Sequence, residues 1–175
     1  MVTIRTAGLG DAAALADLAR RTFHDTFAAQ NRPEDMKAYM SGAYTAGRLD
    51  RELREPGAVY LMAEDATKLI GFAKVAPSEP PPCVTVRDPL RLARLYVAAE
   101  ALGSGVGAAL MRECIGRAEG SGHGGLWLGV WEHNRRAIAF YERWGFAPVG
   151  TEPFLLGSDR QTDVLMQLDL GNRAG

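Results

Sequence analysis

Glycine stands at every second position from 103 to 107, in the stretch LGSGVGAAL (102–110), and it separates a strand-like run from a helix-like one. The preceding segment, RLARLYVA (91–98), reads as a strand, whereas Val106, Ala109, Leu110, Cys114 and Ala118 recur at helical spacing in a segment reaching about Glu119. A second strand, GLWLGVW (125–131), comes next, and a helix from Asn134 to Trp144 follows it, closed by Gly145. Strand, turn, helix, strand, helix in this order predicts a partly parallel sheet with helices on its faces.

The segments on either side extend this pattern. VTIRT (2–6) reads as a strand, and Asp11 as the N-cap of a helix with Leu15, Leu18, Thr22, Phe23 and Phe27 on one face. Pro33 opens a second helix carrying Met36, Tyr39 and Met40, and residues 46–55 form a third. AVYLMAE (58–64) and KLIGFAKVA (68–76) read as a hairpin turning at Asp65-Ala66-Thr67, PSEPPP (77–82) as a loop, and 146–154 and 162–170 as two last strands. With 175 residues, 47% of them hydrophobic, the chain supports a single core, so one domain is expected over 1–175. Its 20 basic and 21 acidic side chains are mixed along the sequence, which gives no net field to draw it onto nucleic acid or an anionic membrane. No segment has the run of about 18 apolar residues needed to span a bilayer. Cys83 and Cys114 are two unpaired cysteines outside any CxxC pattern, and the three histidines are scattered, so neither a disulfide framework nor a metal site is expected. A reducing, cytoplasmic setting is the default expectation.

A helix N-terminus presents unpaired N–H groups and a partial positive charge, a combination that suits a phosphate. Glycines at 103, 105 and 107 would let such an anion reach the backbone, although a tight turn or close helix packing would use them equally well. A P-loop requires Lys followed by Ser or Thr at the helix start, and GVGAALM has neither. Gly103, Gly105 and Ala108 formally satisfy the dinucleotide pattern, with Glu132 after the next strand as a ribose ligand. The segment before the turn, however, is helices and a hairpin rather than a second βαβ half.

Taken jointly, RLYVAAEALGSGVGAALM and WLGVWEHNRRAIAFYERWGF resemble the Gcn5-related N-acetyltransferase (GNAT) superfamily over about residues 91–147. FHDTF (23–27) and FLLGSDRQTDVLM (154–166) are similar to its PaiA-like branch, whose members include polyamine N-acetyltransferases. The resemblance implies a mixed α/β fold, with a twisted sheet of six or seven strands flanked by helices on both faces. It implies transfer of acetyl from acetyl-CoA to a primary amine of a small molecule, spermidine or spermine among the options, by direct attack in a ternary complex without a metal. A different acceptor (a protein N-terminus, an amino acid or a drug amine) and a non-catalytic acyl-CoA-binding module stay open, and so does a homodimer.

Further roles follow from the resemblance. Leu95, Tyr96 and Val97 would lie along the pantetheine arm, with the Val97 N–H facing the thioester oxygen. The turn Leu102, Gly103, Ser104, Gly105, Val106, Gly107 would hold the pyrophosphate. The first position of that turn is usually Arg or Gln, so Leu102 removes a side-chain contact. Asn134 would bond the cofactor arm, Arg143 an outer phosphate, and Tyr141 would be the general acid for the departing thiolate. The residues themselves are compatible with this: Asn134 and Tyr141 are two helical turns apart on one face, about 10 Å along the axis. A phenol is also protonated at neutral pH. Many relatives carry a Glu on the strand before the turn; here that strand reads Arg91-Leu-Ala-Arg94, which leaves Glu64, Glu132 and His133 as relays for the proton of the ammonium. Glu34, Asp35, Glu64, Asp65 and Glu79 are the acids offered to a cationic acceptor.

Overall fold

The computed structural model describes residues 1–66 and 68–171. Seven strands, β1 (Val2–Thr6), β2 (Val59–Asp65), β3 (Lys68–Ala76), β4 (Pro89–Val97), β5 (Gly125–Trp131), β6 (Ala147–Leu156) and β7 (Asp159–Asp169), form one sheet in the order β1-β2-β3-β4-β5-β7-β6. Every neighbouring pair is antiparallel except β4 and β5. The helix α4 (Val106–Gly120) makes the crossover between those two strands, since a parallel connection must return the chain to its starting edge. Thr67, placed by the sequence in the β2–β3 turn, lies outside the described residues.

The sheet is covered on both faces, which is why its middle strands read as continuous apolar runs rather than alternating ones. On one face α1 (Ala12–Phe27), α2 (Pro33–Ala43) and α3 (Ala46–Leu53) bury Leu15, Phe23, Met36 and Leu49 against Tyr60, Met62 and Phe72. On the other, α4 and α5 (Arg135–Arg143) bury Leu110, Met111, Cys114 and Tyr141 against Leu61, Ala73 and Leu128. Consecutive residues of β2 thus serve opposite cores. The proline-rich segment adds a third small cluster, with Val84 on Trp127 and Leu165.

Three strand boundaries differ from the sequence reading. The last two strands run to Leu156 and from Asp159, a longer hairpin than 146–154 and 162–170 allow, closed at Gly157 with φ 58°. Its tip is fastened to α2, because Asp35 Oδ1 accepts from the Ser158 N–H at 2.7 Å and from its hydroxyl at 2.8 Å. The sheet also starts β4 at Pro89, since residues 89–91 are the segment that pairs with β5.

Candidate active site

Strands β4 and β5 pair only from Pro89 to Arg91 against Gly125 to Trp127. Beyond that point they part, while β4 stays bonded to β3, with Leu95, Tyr96 and Val97 opposite Ala73, Phe72 and Gly71. The free edge of β4 faces a cleft of about 960 Å³. Successive N–H groups along a strand point to opposite edges. That of Ala98 donates to the Ile70 carbonyl of the β3 strand at 2.8 Å, so that of Val97 is aimed across the gap. The side chains of Leu95 and Val97 pack on the α4 face and Tyr96 on the α1 face, which locks the strand while its backbone stays open.

The glycine turn closes one end of the cleft. Gly103 (φ 81°) and Gly105 (φ 89°) are left-handed, and a Cβ at either would meet nothing within 4 Å. Backbone conformation, not crowding, therefore demands glycine at these two positions. Gly107 is not left-handed, and a Cβ there would make only an ordinary contact, 3.6 Å from the Phe140 ring, so neither conformation nor crowding demands glycine at that position. Gly105 is the N-cap of α4 without a side-chain cap, and the amides of Gly103, Gly105, Val106 and Gly107 donate to no backbone carbonyl among the described residues. Leu102 and Ser104 are different. Their N–H groups close turns onto Ala99 and Ala101, and the Ser104 hydroxyl donates to Ala101 O at 2.6 Å. Ser104 and the buried Val106 side chain do not line the cleft, whereas Leu102, Gly103, Gly105 and Gly107 do.

Helix α5 forms the wall next to the turn. The Asn134 Oδ1 caps it by accepting from the Ala137 N–H at 3.2 Å. At the other end the Phe146 N–H bonds the Tyr141 carbonyl at 3.1 Å around Gly145 (φ 95°), a left-handed stop that seats the Phe146 ring 5.6 Å from that of Tyr141. Tyr141 is thereby held in the cleft wall, and its hydroxyl bonds no group among the described residues. Burial raises its pKa, with the Cys114 thiol adding to the effect, so the phenol stays protonated. Asn134 and Arg143 line the same cleft, joined by Arg135 and Arg136.

Beneath α1 to α3, the cleft wall is a buried ion network. Glu52 Oε2 accepts from Tyr60 Oη at 2.6 Å, Arg94 Nη1 at 2.8 Å and Lys74 Nζ at 2.9 Å, while its Oε1 accepts from Arg48 Nε at 2.8 Å. Burial pushes the Glu52 carboxyl up, but the Arg94 charge and the bonds from Tyr60, Arg48 and Lys74 outweigh it and hold the pKa at about 2.

The acids singled out in the sequence lie elsewhere. Glu64 pairs with Arg5 at 2.8 Å, Asp65 with the N-terminus at 3.0 Å, and Asp35 with Ser158; none of these, nor Glu34, Glu79 or Glu132, lines the cleft. His133 does, at the mouth beside Trp131. The carboxylates that face the cleft from the β6–β7 hairpin are Glu152 and Asp163, opposite each other in register, and among the described residues neither is ion-paired or hydrogen-bonded. Burial and then the Glu152 charge push the Asp163 carboxyl up to about 6, against a lowering by Arg91. Sequence reading passed over Asp163 because a charged residue in an alternating strand reads as solvated; only the Gly129 that makes room beside it was a local signal.

The acetyltransferase (GNAT) family profile matches residues 13–146. An N-acetyltransferase encoded in the pepI 3′ region of Lactobacillus delbrueckii subsp. lactis is 30% identical over 150 residues, covering 86% of this chain and 87% of that protein. The PaiA N-acetyltransferase of Thermoplasma acidophilum, solved in complex with coenzyme A, superposes with a TM-score of 0.80 at 22% identity, over 97% of this chain and 99% of that one. A ribosomal-protein-alanine N-acetyltransferase from Brucella melitensis superposes with a TM-score of 0.69 at 26% identity, over 96% and 99%. The parted β4 and β5, the unpaired amides at the start of α4 and these likenesses have one reading: the chain belongs to the GNAT family of acetyl-CoA-dependent N-acetyltransferases.

Proposed function

We propose that the protein transfers acetyl from acetyl-CoA to a primary amine of a small cationic acceptor, a polyamine foremost, by direct attack in a ternary complex. The observation that carries this reading is the single cleft running from the unpaired amides of α4, past the free edge of β4 and Tyr141, to the unpaired carboxylates of Glu152 and Asp163. In this reading the amides of Gly103, Gly105, Val106 and Gly107 grip the pyrophosphate, helped by the α4 dipole. Leu102 and Ser104 shape the turn, and Arg143 and Asn134 meet the cofactor arm. Leu95, Tyr96 and Val97 line the pantetheine, and the Val97 N–H stabilises the oxyanion that forms when the amine adds to the thioester carbon. Tyr141 protonates the departing thiolate.

Two unneutralised carboxylates favour an acceptor with more than one ammonium group, and the resemblance of residues 23–27 and 154–166 to the PaiA-like branch supports the same choice. The test is a panel of amines (polyamines, amino acids, alanine-starting peptides) assayed for free CoA, after acetyl-CoA binding is established by thermal shift. Polyamines should give the highest kcat/KM. Turnover confined to peptides would replace the acceptor, and saturable binding without turnover would reduce the protein to an acyl-CoA-binding module.

A further inference from the structure

We infer that Asp163, seated beside Glu152 on the floor of the cleft, takes the proton from the acceptor's ammonium group; this rests on the acetyl-transfer reading above. The placement comes from three strands. Asp163 on β7 lies opposite Trp131 of β5 on one side and Glu152 of β6 on the other. Gly129, two residues earlier on β5, leaves the space into which both carboxylates lean: a Cβ built there would stand 3.3 Å from Glu152 Oε1 and 3.4 Å from Asp163 Oδ2. The other groups that act on Asp163 are Arg91 and Tyr96 from β4 and Tyr39 from α2. Asp163, Tyr96 and Tyr141 all line the one cleft, so base and acid reach it from different elements, β7 and α5.

An amine must lose a proton before it attacks, and an unperturbed alkylammonium of pKa about 10 is almost wholly charged at neutral pH. An ordinary aspartate, near 4, is a poor acceptor for that proton. Asp163, pushed up to about 6 by its burial and by Glu152, is closer to the task yet still mostly ionised at pH 7. Glu152 acts through Asp163 and is a positioning residue. The proton count closes as follows: R–NH3⁺ gives one proton to the Asp163 carboxylate, and the freed nitrogen lone pair bonds to the thioester carbon. The C–S bond breaks, and the thiolate takes the Tyr141 proton. The nitrogen then returns one proton to Tyr141, leaving neutral amide, thiol and a protonated Asp163 that discharges to solvent.

The experiment pairs a carboxyl-carbon NMR titration with pH profiles of kcat/KM using the best amine of the panel. Asp163 should titrate near pH 6 and the ascending limb of kcat/KM should match it. Asp163→Asn should remove that limb and lower kcat/KM at pH 7 by about 10²- to 10⁴-fold, with stabilisation by acetyl-CoA unchanged. Glu152→Gln, the second variant should Asp163→Asn fold poorly, should move both the NMR midpoint and the limb to lower pH. An active protein whose Asp163→Asn variant keeps its rate and limb, or whose limb ignores Glu152→Gln, overturns the base assignment alone. A native protein that acetylates no amine overturns the transfer reading and this inference with it.

Discussion

Replacing Glu52 by Gln should destabilise the protein by about 3 kcal/mol or more. The carboxylate is buried, and its two oxygens accept bonds from Tyr60, Lys74, Arg94 and Arg48. An amide keeps one acceptor and turns two donors toward side chains that are themselves donors, leaving the buried Arg94 charge uncompensated and Lys74 with Glu55, 2.9 Å away, as its remaining carboxylate. Breaking a buried pair from one side costs about 3–5 kcal/mol. The shift of the Glu52 pKa from 4.5 to about 2 points to a similar size, about 3 kcal/mol at 1.36 kcal/mol per unit. Because the folded pKa is the lower one, this stabilisation is complete above about pH 4.5 and is lost as pH falls toward 2. Urea unfolding at pH 7 should show a lower midpoint with an unchanged slope, and the thermal midpoint should drop by about 10 °C. The variant should also lack much of the native protein's acid dependence between pH 4.5 and 2. A loss below about 1 kcal/mol at pH 7, or an unaltered acid profile, would refute the claim that this network is held together by its carboxylate.

Tyr141→Phe should lower kcat by about 10²-fold or more while the acetyl-CoA dissociation constant holds, and equal turnover by stopped CoA release would remove the acid role. Gly105→Ala meets open space but forces an L-residue to φ 89°, a strain of about 1–2 kcal/mol. It should therefore cost a few degrees of melting temperature and weaken acetyl-CoA binding by calorimetry, and unchanged affinity would argue against the turn as the phosphate site. Cys114, fully buried and with its thiol pushed up to about 12, should resist iodoacetamide in the folded protein while Cys83 reacts, and both should label in urea, as read by peptide mass spectrometry.

The order and type of the elements were legible from residue 2 to residue 170, because period and punctuation are local. Short apolar runs bounded by turn residues marked the central strands, the stripes of α1 and α4 marked helices, and Gly145 and Pro33 marked a stop and a start. Tyr141 and the glycine turn were legible too, since their positions are fixed by a cap, a left-handed stop and a short loop within their own segments.

What the chain order left open was which side chains meet. The β6–β7 register sets Asp163 opposite Glu152, but both came to lean over Gly129 and line the cleft only when β7 took its place against β5. The Glu52 network likewise joins α3 to three residues on three strands. Charged residues carry no periodic signal that separates a solvated face from a cleft floor; burial and neighbouring charge make that distinction, and both exist only once the sheet is assembled.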